Sequence, residues 1–280
     1  MRNFFAFKFF PEKNGLTKNL LATSSNQHHR LANLKIIPVI DILGSLAVHA
    51  VRGERNQYKP LKGVLCASSD PLDVASTFKK LGFAELYTAD LDAILENQPN
   101  LGLIKQITES TGLKLMVDAG VTDLKRAKAL LANHASQIII GTETLRSTAF
   151  VEEAVRSLGS DCVVVSLDLK NSLVLGHFAT NLPEPLDLLK EFQKMGVAQV
   201  IVLDLARVGS HEGVDVPFLK TVLESLDLEV FVGGGVRNLA DLKELETLGV
   251  SGVLLATALH SGKLTIDELK HVELGLKWAV

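Results

Sequence analysis

The sequence predicts an α/β protein that folds as a single (β/α)8 barrel, the TIM barrel, built of two half-barrel repeats. From residue 34 onward, strand-like apolar runs alternate with amphipathic helical stretches. Most of these runs are continuously apolar, which is typical of parallel strands covered on both faces. The two halves of this region also resemble each other at an offset of about 115 residues. The chain contains eight such strands with helices between them, which is the number of strands in a closed (β/α)8 barrel.

The eight expected strands follow one another along the chain, each bounded by turn residues or charged residues. Two of the helical stretches between them, residues 71–82 and 185–196, begin at a proline and close at a glycine. The strands are KIIPVIDI (35–42), AELYTAD (84–90), KLMVDAG (114–120), QIIIGT (137–142), CVVVSLDL (162–169), AQVIVLDL (198–205), EVFVGGG (229–235) and GVLLAT (252–257).

The internal repeat favours a barrel over a doubly wound open sheet, which would not need a two-fold pattern. It pairs Asp90 with Asp204 and Asp41 with Asp168. The matched segments are GFAELYTADL (82–91) with GVAQVIVLDL (196–205), LMVDAGVTDL (115–124) with VFVGGGVRNL (230–239), IIIGTETL (138–145) with VLLATALH (253–260), and PVIDI (38–42) with VSLDL (165–169).

Composition excludes several classes of protein. The chain has 280 residues and a formal charge of −3, so it lacks the basic excess that neutralises nucleic-acid phosphates. No apolar run reaches the roughly 18–20 residues of a membrane span. The two cysteines have no CxxC or Cys/His context, which argues against a disulfide framework or a zinc site. We therefore expect a cytoplasmic protein without nucleic-acid or membrane partners; the oligomeric state is not predicted.

The N-terminal residues differ from the rest of the chain. Residues 1–33 contain a single acidic residue, Glu12, and their only apolar patch is interrupted by Lys8. A secretory signal needs an uninterrupted apolar core and a small-residue cleavage site, and neither is present. We expect residues 1–33 to form a disordered extension and residues 34–280 to form the barrel.

The glycine-rich stretch FVGGGVRN (231–238) predicts a phosphate site. The active site of a barrel lies at the carboxyl ends of its strands, and the loops after the seventh and eighth strands commonly hold phosphate. One glycine would suffice for a tight turn, so three favour close approach of the backbone to an anion. The repeat predicts a second cradle, with Asp118, on the opposite rim, and hence a substrate with a phosphate at each end. The two cradles comprise Gly233, Gly234, Gly235, Ala256 and Thr257, and on the other rim Gly120, Gly141 and Thr142.

Two aspartates are the candidate catalytic residues. Asp41 and Asp168 each close an apolar strand at its carboxyl end, and the repeat places them across the barrel mouth from each other. Carboxyl groups in such positions are suited to general acid and general base catalysis. Asp90 and Asp204 form a second symmetric pair, for which a structural role as a cap and a functional role remain equally open.

These motifs resemble those of the histidine-biosynthetic phosphoribosyl isomerase and cyclase family of half-barrel-duplicated TIM barrels. The resemblance covers residues 34–275 and rests on IPVIDI followed by Gly44, Arg52 and Gly53, and on VSLDL, IIIGT and FVGGGVRN. It implies that Asp41 and Asp168 are the acid–base pair of an Amadori rearrangement of an aminoaldose to an aminoketose. It also implies that no cofactor or metal is required. The lysine that the cyclases carry after the first strand has no counterpart here, which favours the isomerases.

The sequence departs from that family at four points. Leu203 and Val208 replace the threonine and the second aspartate after the sixth strand. Asp118 replaces a glycine of the third-strand loop and would repel a phosphate placed there. Ala256 and Thr257 replace a Gly-Arg pair, so the family's arginine is missing at this position; Arg52, Arg207 and Asp204 are nearby candidates to bind substrate instead.

Three functions follow from these observations. The favoured one is an isomerase acting on a phosphorylated sugar or aminosugar. The second is a divergent paralogue with other chemistry on a phosphorylated ligand, in the one-carbon metabolism linked to tetrahydromethanopterin and methanofuran, since isomerase-like proteins are associated with those pathways and fold alone does not fix a reaction. The third is a non-catalytic binding protein, against which the paired carboxylates count.

Overall fold

A computed structural model describes residues 34–210 and 212–271, so the predicted extension 1–33 lies outside the described residues. Within them, eight parallel strands form the barrel, and the predicted fold is confirmed. The strands are β1 (Lys35–Leu43), β2 (Glu85–Asp90), β3 (Lys114–Asp118), β4 (Gln137–Gly141), β5 (Val163–Lys170), β6 (Gln199–Asp204), β7 (Glu229–Gly233) and β8 (Gly252–Leu255).

The barrel closes because β1 pairs in parallel with both β2 and β8. The register of the closing pair runs from Lys35 opposite Gly252 to Pro38 opposite Leu255. Three short strands extend the sheet outside the barrel by antiparallel pairing: Leu46–His49, Lys59–Pro60 and Leu173–Val174. Closure brings the carboxyl ends of all eight strands to one rim, where the predicted site residues lie.

Helices cover the outside of the barrel. Several begin at an acidic or amide cap: the Asp70 carboxylate accepts from the Leu72 amide, and that of Asp123 from the Arg126 amide. The helices are α1 (Pro71–Lys80), α2 (Leu91–Glu96), α3 (Leu101–Thr111), α4 (Leu124–Ala132), α5 (Ala149–Leu158), α6 (Pro185–Lys194), α7 (Val216–Ser225), α8 (Leu239–Leu248), α9 (Thr257–His260) and α10 (Ile266–His271). Over the ranges described, none of them is long and apolar enough to cross a membrane.

The apolar core has two layers. The larger lies between the sheet and the helices, and includes Phe78 and Phe192. The smaller fills the barrel interior with one side chain or more from each strand: Ile37, Val39, Tyr87, Ala89, Met116, Ile139, Val164, Ile201, Phe231 and Leu254. Because side chains of a strand alternate between its faces, residues two or four positions beyond these also point inward. Asp41 and Asp118 lie two positions beyond Val39 and Met116, and Asp168 lies four positions beyond Val164.

The predicted strands are confirmed, but three of them end two residues earlier than expected. The third ends at Asp118, the seventh at Gly233 and the eighth at Leu255. Gly120, Gly234 and Gly235 have φ angles of +59°, +84° and +88°, which lie outside the extended region. The glycines therefore turn the chain out of the sheet rather than continuing the strand.

The two halves of the barrel differ in which of two neighbouring strands carries the larger side chain. Leu203 of β6 lies opposite Gly233 of β7, and the repeat matches this pair to Ala89 of β2 opposite Asp118 of β3. A Cβ at Gly233 would lie 2.7 Å from Leu203 Cδ1. Each half therefore pairs one small residue with one larger residue. In the first half the larger residue is on the second strand of the pair, β3, and in the second half it is on the first strand of the pair, β6.

This packing predicts that Gly233→Ala destabilises the protein by about 1 kcal/mol, because the added methyl forces the end of the Leu203 side chain to shift. In the double variant Leu203→Ala/Gly233→Ala the overlap is removed, so the cost of the glycine substitution should fall. Urea unfolding of wild type, both single variants and the double variant measures this coupling. Strictly additive free energies of unfolding would contradict it.

Candidate active site

A cavity of about 1110 Å³, counted to its open mouth, lies at the carboxyl ends of the strands. One side of it carries the acidic groups of Asp41, Asp118 and Asp168. The other side is formed by the loops after β7 and β8, and apolar side chains such as Leu205 and Leu254 line the walls. Of the predicted site residues, the cavity is lined by Asp41, Asp118, Gly141, Asp168, Gly233, Gly234, Gly235, Ala256 and Thr257.

Asp168 is buried and held in one orientation by its neighbours. Its carboxylate accepts hydrogen bonds from Ser166 Oγ at 2.6 Å and from the Glu143 amide at 2.9 Å. The Thr142 hydroxyl accepts from the Asp168 amide at 2.9 Å. A Cβ at Gly141 would lie 2.9 Å from Asp168 Oδ2, so glycine is needed for this carboxylate to pack where it does.

Asp41 differs from Asp168 in having no hydrogen bond to its carboxylate from the described residues. Burial raises its pKa from 3.8 to about 7, and the charge of Asp118 adds to this effect. The pKa of Asp168 is also raised to about 7 by burial and by Asp118, against the opposing effect of its hydrogen bonds. Near neutral pH, each group can therefore either hold or accept a proton, as acid–base catalysis requires.

Asp118 points into the cavity as a third carboxyl group. It accepts hydrogen bonds from the Gly120 amide at 3.2 Å and from the Tyr87 hydroxyl at 3.4 Å. Burial raises its pKa to about 6, and the charge of Glu143 contributes to the increase. Burial and Asp118 also raise the pKa of Tyr87 well above its usual range, so Tyr87 stays protonated as a donor.

Sequence reasoning missed the polar residues that surround these carboxylates. Arg55 and Glu143 line the cavity and form an ion pair of 2.7 Å, which ties the loop after β1 to the loop after β4. Tyr58 and Tyr87 line it too, and burial raises the pKa of Tyr58 to about 12. One signal was available: the repeat matches Tyr87 to Ile201, so the first half has a hydroxyl where the second is aliphatic.

The loops after β7 and β8 leave backbone donors free at the cavity. Within the described residues, no hydrogen bond uses the amide N–H groups of Gly235, Val236, Thr257 or Ala258. Arg207 also lines the cavity. Its Nε is 2.8 Å from Asp204 Oδ2 and its Nη1 donates to the Gly213 carbonyl at 2.9 Å, which fixes the guanidinium beside these loops.

Gly233, Gly234 and Gly235 lie in close contact with neighbouring residues. Their number therefore does not by itself indicate an anion site, as the sequence suggested. A Cβ at Gly234 would lie 2.8 Å from the Asp204 carbonyl oxygen, and one at Gly235 would overlap the Gly213 carbonyl. A Cβ at Gly233 would overlap Leu203. The backbone of the loop after β6 therefore requires Gly234 and Gly235, with or without a ligand, whereas a side chain at Gly233 would have to displace only the end of the Leu203 side chain.

The loops after β3 and β4 do not mirror this arrangement. Gly120 and Thr142 do not line the cavity, and Thr142 is fully buried beneath Asp168. Arg126 of α4 donates to the carbonyl oxygens of Ala119 and Gly120 at 3.0 and 3.1 Å. The carbonyl oxygens of the loop after β3 are thus hydrogen-bonded to a side chain of the protein itself.

The remaining predicted residues lie outside this cavity. Asp90 is buried and accepts hydrogen bonds from the Ala93 and Asn100 amides, so it is a structural cap for α2. Asp204 accepts from the Ala206 amide and holds Arg207. Arg52 pairs with Glu212 at 2.9 Å on the exposed side of the rim.

Fold and site together define a (β/α)8 barrel with ionisable carboxyl groups at the end of the barrel where active sites lie. The chain matches the family model described as histidine biosynthesis protein over residues 35–265. The protein therefore belongs to the histidine biosynthesis protein family, and the resemblance inferred from its motifs is confirmed.

Similar proteins occur in archaea and bacteria. An uncharacterised protein of Methanocaldococcus jannaschii is 38% identical over 239 residues, which cover 84% of this chain and 97% of that protein. The 1-(5-phosphoribosyl)-5-((5-phosphoribosylamino)methylideneamino)imidazole-4-carboxamide isomerase of Streptococcus thermophilus is 34% identical over 241 residues, with 85% and 98% coverage. The isomerase of the same name from Streptococcus sanguinis is 31% identical over 247 residues, with 87% and 100% coverage.

The raised pKa of Asp41 predicts a pH-dependent stability. Because the folded state holds this proton up to about pH 7 and the unfolded chain releases it near 3.8, the free energy of unfolding should fall as pH rises between these values. Asp41→Asn should therefore be about 1–3 kcal/mol more stable than wild type at pH 8 and nearly equal to it at pH 4.

Urea unfolding at both pH values measures this difference, with Asp123→Asn as the control. Asp123 is exposed on the loop after β3, and asparagine caps a helix as well as aspartate does. A stability gain of Asp41→Asn that is the same at pH 4 and pH 8 would contradict a titrating Asp41.

Proposed function

We propose that the protein is an isomerase that converts a phosphorylated aminoaldose to the aminoketose by an Amadori-type rearrangement. The observation that carries this proposal is the pair of inward-pointing carboxyl groups, Asp41 and Asp168, both with pKa values raised to about 7. The names of the related isomerases support the same reaction type.

The rearrangement needs two proton transfers at neighbouring positions of one sugar. One carboxyl group protonates the ring oxygen, which opens the ring to an iminium at C1. The other, as a carboxylate, removes the proton from C2, and the C2–H electron pair forms the double bond of an enolamine while the C1–N double bond becomes single. Reprotonation at C1 as the enol becomes a ketone completes the aminoketose, so only protons are exchanged with the protein.

The phosphate of the substrate is placed at the loops after β7 and β8. The free amides of Gly235, Val236, Thr257 and Ala258 are suited to binding its oxygens. Arg207 lines the same side of the cavity, where Ala256 and Thr257 provide no cation. Its Nε is paired with Asp204 and its Nη1 donates to the Gly213 carbonyl oxygen, so among the described residues its Nη2 is the group left to donate to a phosphate oxygen. Charge-assisted hydrogen bonds of this kind are shorter and stronger than neutral ones.

Proton removal at C2 and reprotonation at C1 predict loss of the C2 proton signal and deuterium incorporation at C1 of the aminoketose in heavy water. The assay incubates purified protein with N-substituted ribosylamine 5-phosphates and with the compound named for the related isomerases, and follows the C1 and C2 signals by NMR. Asp41→Asn and Asp168→Asn should each slow exchange by about 10²–10⁴-fold, because a carboxamide neither donates nor accepts the proton effectively.

Asp215→Asn is the matched control, since Asp215 caps α7 at the same end of the barrel and asparagine preserves the cap. Exchange at wild-type rate in both active-site variants would rule out this acid–base pair. Absence of exchange in wild type with every substrate, although they bind, would favour the divergent paralogue with other chemistry.

Arg207→Gln should raise the KM for a phosphorylated substrate by about tenfold or more, with a smaller effect on kcat, because the charge removed contacts the phosphate rather than the reacting carbons. Inorganic phosphate should inhibit wild type competitively and inhibit Arg207→Gln more weakly. A change confined to kcat would contradict a phosphate contact.

A further inference from the structure

On the rim opposite the proposed phosphate site, the backbone amides of the loop after β4 are occupied. The amides of Gly120 and Glu143 donate to the carboxylates of Asp118 and Asp168, at 3.2 and 2.9 Å. The Thr142 amide donates to the Ser166 carbonyl oxygen, and the amides of Thr144 and Leu145 donate to the Gly141 carbonyl oxygen. None of these groups is available to a ligand, in contrast to the four free amides on the other rim.

The positive charges of this rim are also engaged. Arg126 donates to the carbonyl oxygens of Ala119 and Gly120 and holds the loop from behind. Arg55 is paired with Glu143 at 2.7 Å. The charged groups that line the cavity here are the Asp118 carboxylate and the Arg55–Glu143 ion pair. The carboxyl groups of Asp41 and Asp168 lie beside them, so carboxyl groups outnumber cations on this side.

The loop that carries Asp118 is packed too tightly to expose new donors by a small shift. A Cβ at Gly120 would lie 3.2 Å from the Ile94 Cα of α2, so the loop rests directly on that helix. Asp118 itself is fixed by the Tyr87 hydroxyl and by the Gly120 amide. Its carboxylate thus stays directed into the cavity rather than toward solvent.

From this arrangement we infer that the substrate carries one phosphate, held at the loops after β7 and β8, and that its other end is a non-anionic group that donates hydrogen bonds to Asp118 and Glu143. The inference rests on the proposed function for the position of the phosphate, and it departs from a substrate with a phosphate at each end. A second phosphate would meet the Asp118 carboxylate, beside the Arg55–Glu143 ion pair, and no free backbone amide of Glu143 or Thr144. Like charges in such contact cost several kcal/mol.

Ribulose 5-phosphate and ribulose 1,5-bisphosphate are suitable probes, because they differ only by the second phosphate. Isothermal titration calorimetry at one fixed ionic strength should give a Kd for the monophosphate at least about tenfold lower than for the bisphosphate. This comparison uses wild-type protein and needs no turnover.

The variant Asp118→Asn tests whether Asp118 is the residue that weakens bisphosphate binding. It keeps the shape of the side chain but removes the charge, so the Kd for the bisphosphate should fall by about fivefold or more while that for the monophosphate changes less. Asp123→Asn removes a negative charge from the same loop outside the cavity and should leave the ratio of the two Kd values at its wild-type value. Circular dichroism verifies that each variant is folded.

Bisphosphate binding as tight as monophosphate binding in wild type would overturn the inference, and so would failure of both probes to bind. An unchanged ratio in Asp118→Asn would overturn the role of Asp118. Failure of the isomerase proposal is separate, because it is read from deuterium incorporation at C1: a protein that prefers the monophosphate but incorporates no deuterium keeps this inference and excludes that reaction.

Discussion

Closure of the sheet between β1 and β8 is the constraint on which the rest of the molecule depends. The four-residue register from Lys35 opposite Gly252 to Pro38 opposite Leu255 joins the first strand to the last. Strand alternation then directs every second side chain into the barrel, which places Asp41, Asp118 and Asp168 at the same rim although they lie far apart in sequence. Without closure these carboxyl groups would be spread along an open sheet edge.

The price of this convergence is the burial of carboxyl groups. Desolvation is the largest contribution to the raised pKa of Asp41 and of Asp168, and Asp118 adds to both. The protein offsets part of this cost at Asp168 by the Ser166 hydroxyl and the Glu143 amide, but provides no such donor to Asp41 among the described residues. Groups that resist ionisation near neutral pH destabilise a fold, yet that property suits them for proton transfer.

The sequence predicted the strand order, the two-fold repeat and the position of the paired aspartates at the carboxyl ends of their strands, because these follow from the apolar runs and from the internal repeat. It could not predict which donors remain free, since that depends on contacts between loops: the Gly235 environment is set by Gly213, and Thr142 is turned beneath Asp168. It also misjudged the three glycines. Gly234 and Gly235 pack against the backbone of the loop after β6, and a local sequence pattern carries no information about such a contact.

Leu203 and Asp118, two residues that differ from the family's pattern, are related by the internal repeat. The repeat matches the strand pair in which Leu203 lies beside Gly233 to the pair in which Ala89 lies beside Asp118. In the second half the leucine fills the interior and the glycine loop remains a neutral backbone surface. In the first half the small alanine leaves room, and a carboxylate with its Tyr87 donor occupies the matched position. The two similar halves of the barrel therefore differ at their rims, and under the proposed function a phosphorylated molecule binds in one orientation.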